Sequence, residues 1–218
     1  MIQKSKKELT NEIINELPNF DKNDLNYLLH QIDNIKYRKS MKKPIYSKNK
    51  VNQIVKKYEK NIGNQEKTLI LCHGHEHQPK YKNSLLLNRV ELAKPDIVSN
   101  AWSKEAMDYF NKDYFDKIIM RFCPIGDPFS KKNTQLWKNL HRILKDGGVL
   151  EANNIIGLYL HWNYNIDHNS FNELSNYKKN KYNREIRDKF INFGFKSVTF
   201  IISTEKKDIG KIVTLVKK

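Results

Sequence analysis

The residues best suited to chemistry stand together as Cys72-His73-Gly74-His75-Glu76-His77. Imidazole and carboxylate are ordinary zinc donors, and on an extended segment alternation puts His73, His75 and His77 on one side. The only other thiol is Cys123. Both cysteines fall at the ends of apolar runs, so we expect reduced, buried thiols in an intracellular protein, with no disulfide and no cysteine-built metal site. A second kind of chemistry is offered where aromatics mix with cations, in His161-Trp162-Asn163-Tyr164 and in Tyr177-Lys178-Lys179-Asn180-Lys181-Tyr182-Asn183-Arg184-Glu185-Ile186-Arg187. Such segments can stack on bases and neutralise phosphates, although a solvated helix face has the same composition.

The bulk charge points the same way. The 218 residues carry 40 Lys and Arg against 24 Asp and Glu, a formal charge of +16. That field favours RNA, DNA or another polyanion, while a chain rich in Lys, Asn and Ile also arises from nucleotide-composition bias alone. The densest basic tract spans 36–60, where Lys36, Arg38, Lys39, Lys42, Lys43, Lys48, Lys50, Lys56, Lys57 and Lys60 face one acid, Glu59. Tyr37, Tyr46 and Tyr58 are interleaved there as candidate stacking faces. The first residues turn polar too soon for a secretory segment, and no apolar run reaches the roughly 18 residues of a membrane span. We expect a cytoplasmic protein without membrane contact.

The elements that must position these groups fall into two regions. Residues 1–66 read as a basic helical N-terminal region: Ser5-Lys6-Lys7-Glu8 fits a capping box, and apolar stripes follow through Leu9, Ile13, Ile14 and Leu17, then Leu25, Leu28, Leu29, Ile32 and Ile35, then Val51, Ile54, Val55 and Tyr58. From residue 67 short β-like runs alternate with helical patterns, which predicts parallel strands joined by crossover helices. The expected strands are 68–72, 89–92, 96–99, 116–120 and 149–152, then a closing pair at 196–203 and 211–216 joined by a charged turn with Gly210.

Within that series, Phe115-Asp116-Lys117-Ile118 opening a strand, followed by Arg142-Ile143-Leu144-Lys145-Asp146-Gly147-Gly148 closing a helix, resembles the fourth and fifth strand region of class I S-adenosylmethionine-dependent methyltransferases. Asn88-Arg89-Val90-Glu91 resembles that family's second strand, and Lys94-Pro95-Asp96-Ile97-Val98-Ser99-Asn100-Ala101 its third. The resemblance covers 67–218. It implies an α/β three-layer sandwich, with a mostly parallel seven-stranded sheet whose final strand enters antiparallel. It further implies S-adenosylmethionine as cofactor, with Gly74 in the loop after the first strand, Glu91 at the ribose and Asn100, where Asp is usual, bordering the adenine.

The chain departs from that pattern at His75 and Glu76, where the family places small residues so that the backbone can approach the cofactor. Asp127-Pro128-Phe129 is an echo of the N-methyltransferase acceptor motif, one proline short, and reads more simply as a turn. The segment 73–77 also fails the H-x-H-x-D-H pattern of metallo-β-lactamase-like hydrolases, its acid coming one place early, and we assign it no metal. Two functions stay open: a methyltransferase acting on RNA or another polyanion, and a methyltransferase-like module without catalysis that binds nucleic acid or a partner protein.

Overall fold

The structure, a computed structural model, describes residues 46–72, 83–89, 94–103, 107–121, 123, 125–166, 173–202 and 211–217, with a few isolated positions before residue 46. The chain divides into two compact units, Met1–Lys43 and Pro44–Lys218, of which the second carries the sheet.

Helix α1 (Lys48–Ile62) begins where the Ser47 side chain accepts a hydrogen bond from the Lys50 amide, and ends at Gly63, whose φ of 57° suits a residue without a side chain. Its apolar stripe is buried through Val51, Tyr58 and Ile62, so this helix packs with the sheet although the sequence pattern grouped it with the N-terminal region. Tyr58 is a core residue. Its hydroxyl accepts from the Thr68 amide at 3.0 Å, and burial pushes its pKa up to about 12. It therefore offers no stacking face. The Tyr46 ring is covered in turn by the Lys50 ammonium, 3.3 Å from its centroid. Tyr37 lies outside the described residues.

Seven strands follow: β1 (Thr68–Leu71), β2 (Ser84–Asn88), β3 (Ile97–Val98), β4 (Phe115–Met120), β5 (Leu144–Ala152), β6 (Phe195–Ile202) and β7 (Lys211–Lys217). They form one sheet in the order β3-β2-β1-β4-β5-β7-β6, with every pairing parallel except those of β7. Central β1 is buried along its whole length, as a strand covered on both faces must be. Helices α2 (Thr134–Ile143), α3 (Ile155–Tyr164) and α4 (Asn176–Asn192) complete the described elements, after a 3-10 turn at Lys131–Asn133. Trp137 of α2 is fully buried, meets Phe190 edge-on, and donates its indole N–H to the Pro128 carbonyl at 2.7 Å. Phe195 is buried as well, whereas Ile191 of α4 stands exposed.

Two strands differ from expectation. The second is Ser84–Asn88, not 89–92, because Leu85, Leu86 and Leu87 supply the run that pairs in register with Leu69, Ile70 and Leu71. The fifth begins at Leu144, because Leu144 already pairs with Phe115 before the register shifts. That shift explains the two glycines. Gly147 has φ of 74°, and a Cβ on Gly148 would stand 2.8 Å from the Lys145 carbonyl oxygen and 3.0 Å from that of Asp116.

The two halves of the motif behind the family resemblance thus touch each other. The Asp116 carboxylate accepts from the Lys67 amide at 2.8 Å and from the Lys145 ammonium at 2.6 Å. Burial raises its pKa, yet those bonds and the nearby charges hold it below the usual carboxylate value. This staple sits where β4 starts, about 13 Å from the strand's far end at 3.3 Å per residue. The motif marks fold, and lies away from any site at the carboxyl ends.

Candidate functional site

In an open parallel sheet, ligands collect outside the carboxyl ends of the strands where the chain reverses its direction of winding. Here the chain leaves β1 for β2 and β3, then returns to β4 on the other side of β1. By that rule the expected crevice falls at the reversal point, over the ends of β1 and β4. Residues just past the strands are held by continuing the ladders: Cys72 N–H donates to Leu87, Arg121 N–H to Leu71, Asn153 N–H to Met120 and Ser99 N–H to Asn88. Backbone at the rim of the crevice is thereby fixed.

Cys72 and Cys123 are joined in a disulfide, with Cα atoms 5.1 Å apart and a separation of 51 positions in sequence. The expectation of reduced thiols is corrected here. Because β1 and β4 are hydrogen-bonded neighbours whose ends, Leu71 and Met120, are register partners, residues immediately beyond them must come close. Cys72 adopts φ of 56°, uncommon without a glycine, at the start of the segment where the family resemblance expects a glycine loop.

Around the rim, buried polar atoms lack partners. The Ser99 hydroxyl, at the end of β3, is fully buried and bonds to nothing, and the Asn154 side-chain oxygen, after β5, is likewise enclosed and unbonded. Native structures satisfy nearly all such atoms, so these two call for a ligand or an ordered water. The neighbouring loop is stapled by asparagines of the 3-10 turn and α2. Asn133 donates to the carbonyls of Ile125 and Asp127, both at 2.7 Å, and accepts from the Trp102 indole at 2.6 Å. Asn139 donates to the carbonyls of Ala101 and Ser103. These bonds set the loop that follows Asn100.

Asn100 itself stands at the end of β3, its side-chain oxygen accepting from the Trp102 amide at 3.2 Å. That leaves its amide NH2 as the group able to donate to a ring nitrogen. Gly74 and Glu91 lie outside the described residues, as do His73, His75, Glu76 and His77. The observed β2 ends at Asn88, so Glu91 follows the strand by three positions rather than closing it. Among the described residues no cluster of His, Cys, Asp or Glu could hold a metal. Asp127-Pro128-Phe129 is the turn expected: Asp127 accepts from the Phe129 amide at 3.1 Å, and Phe129 packs against Tyr159 and Phe190. Sequence reasoning passed over Ser99, Asn133, Asn139 and Asn154, since polar residues after strands carry no periodic signal.

As a test of S-adenosylmethionine against these residues, the unpaired Ser99 hydroxyl and the Asn100 amide fit the adenine end. The Cys72–Cys123 bridge lies just past the ends of β1 and β4, at the start of the segment where the family resemblance expects the glycine loop.

The strand order with a lone antiparallel β7 defines a class I methyltransferase-type fold. No family model matches the chain. It is 30% identical over 109 residues to uncharacterized protein L16 of Acanthamoeba polyphaga mimivirus, covering 45% of this chain and 40% of that protein. Solved structures similar to it include an S-adenosylmethionine-dependent methyltransferase from Archaeoglobus fulgidus (TM-score 0.47, 13% identity, 86% of this chain and 99% of that one). The aminoglycoside resistance methyltransferase NpmB1 is also similar (TM-score 0.47, 11% identity, 75% and 93%), as is the 16S rRNA (adenine(1408)-N(1))-methyltransferase of Catenulisporales acidiphilia (TM-score 0.45, 11% identity, 74% and 92%). Likenesses this distant say nothing of substrate, and the fold class rests on the strand order. Among the described residues no helix is long and apolar enough to cross a membrane.

Proposed function

We propose that the chain is a cytoplasmic S-adenosylmethionine-dependent methyltransferase acting on RNA or another polyanion, with helices on both faces of the sheet and a basic helical region ahead of it. The observation that carries this reading is the reversal of strand order at β1/β4, with the buried, unpaired Ser99 hydroxyl and Asn100 on its β3 side. Ser99 and Asn100 would hold the adenine, and the family resemblance adds Gly74 and Glu91. The cofactor, when bound, supplies an activated methyl group; the protein contributes orientation and exclusion of water. Calorimetric titration with S-adenosylmethionine and with its demethylated product tests the reading. Micromolar to submillimolar binding that weakens in Ser99→Ala is the expected result, and no binding up to millimolar concentration in either redox state refutes it.

The Cys72–Cys123 bridge favours a second reading, a methyltransferase-like module that binds nucleic acid or a partner without catalysis. On the first reading, reduction opens the crevice and binding appears or tightens; on the second, neither form binds the cofactor.

A further inference from the structure

Exposed aromatics stand on two helices that touch each other. Among the described residues five large hydrophobic side chains stand exposed, and three are the aromatics Trp162 (61% exposed) and Tyr164 of α3 and Tyr177 (79% exposed) of α4. The two helices are tied together. Tyr159 and Tyr164 both donate their hydroxyls to the Glu185 carboxylate, at 3.0 and 2.5 Å, and the Tyr164 ring lies 4.6 Å from that of Tyr182.

Helix α4 carries six cations and two acids, and one of those acids, Glu185, is taken up by the tyrosine hydroxyls. Tyr177, Lys181 and Arg184 follow each other at i, i+4 and i+7, which puts them on one face rising about 10 Å along the axis. Lys178, Lys181 and Arg184 are exposed and form no ion pair among the described residues. The buried face is separate, made of Tyr182, Ile186 and Phe190. Trp162 of α3 stands over the loop that follows β4. A methyl group built on Gly126, in the loop after β4, would stand 3.8 Å from the indole, so the ring rests against that loop. Asn163 reaches the same loop at Asp127, 3.3 Å away.

We propose that the α3–α4 face is a binding strip for single-stranded nucleic acid, with Trp162 and Tyr177 stacking on bases and Lys178, Lys181 and Arg184 neutralising phosphates. Among the described residues the strip has flat rings and unpaired cations but no exposed aliphatic row that would enter a bilayer, which is why nucleic acid fits it better than an anionic membrane. The proposal deepens the polyanion reading above and rests on it only for the class of substrate.

The test uses the full chain without cofactor, so its failure and that of the methyltransferase reading are distinguishable. Of the three tryptophans, Trp137 is fully buried and Trp102 is bonded to Asn133, which leaves Trp162 as the one a ligand can reach readily. Titration with a single-stranded oligonucleotide should quench tryptophan emission, and the quench should vanish in Trp162→Leu while affinity falls about 5- to 150-fold. Replacing both Lys181 and Arg184 by Ala should lower the slope of log K against log salt by about 1.4, at roughly 0.7 per phosphate on a single strand. A quench and affinity unchanged in Trp162→Leu would overturn the proposal. So would an unaltered salt slope, or binding to phosphatidylserine vesicles in place of the oligonucleotide.

Discussion

Reducing the Cys72–Cys123 bridge should cost the domain several kilocalories of stability, and the figure can be worked from the fold. The bridge closes a loop of 51 residues. The chain-entropy relation then gives an entropy of about 14 cal/mol/K, or about 4 kcal/mol at 25 °C, as the amount by which cross-linking destabilises the unfolded chain. For a domain of this size each kcal/mol moves the melting temperature by about 2–4 °C, so the midpoint should drop by about 8–16 °C. The measurement is calorimetric melting of protein purified without reductant, then with it. The double variant Cys72→Ser, Cys123→Ser serves as control, melting near the reduced protein and showing no response to reductant. Alkylation that finds both thiols free before reduction would refute the reasoning outright, and oxidised and reduced forms melting together would refute its magnitude.

Other outcomes follow from particular contacts. Gly148→Ala drives a methyl group into two backbone carbonyls and should cost about 1–3 kcal/mol, read as a lower urea midpoint at constant slope. Asn133→Ala leaves the carbonyls of Ile125 and Asp127 and the Trp102 indole without their partner, so a loss of about 2–4 kcal/mol is expected, with altered Trp102 emission as a second readout. Burial holds the His141 pKa below its usual 6.5 against the raising effect of its bond to the Gly194 carbonyl, so the folded state favours the neutral ring. Its contribution is complete above pH 6.5 and is lost as pH falls below that value; His141→Gln should flatten melting temperature between pH 7 and 5. A different window belongs to Asp113, held low by its hydrogen bond to Lys217, and to Asp116, held low by Lys145 against burial: their contributions persist above about pH 4 and fade only below it.

Much of the fold was legible because strands and helices write their burial into local periodicity. The expected first and fourth strands, and the closing pair, match β1, β4, β6 and β7 to within a residue or two. β2 was displaced because two apolar runs adjoin there, Leu85-Leu86-Leu87 and Val90-Glu91-Leu92, and only register against β1 selects the first. β5 was shortened because Lys145-Asp146-Gly147-Gly148 looks like a turn, while in the sheet it is a bulge between Leu144, paired to Phe115, and Val149, paired to Lys117. Of the candidate cofactor residues, Asn100 alone falls within the described structure, and its neighbours Ser99 and Asn139 matter through bonds, or a missing bond, that span the fold.

By itself the sequence determined an alternating α/β chain with a closing hairpin, a surplus of positive charge and aromatic residues set among the cations, since these depend on composition and on neighbours a few residues apart. The tertiary structure alone decided that β1 and β4 adjoin, and with that adjacency came the reversal point of the sheet and the Cys72–Cys123 bridge; it decided as well that Tyr58 is buried, Tyr46 covered and Tyr177 left open. Contacts between residues some fifty positions apart depend on strand order, and strand order is set by the packing of the whole sheet rather than by any local pattern.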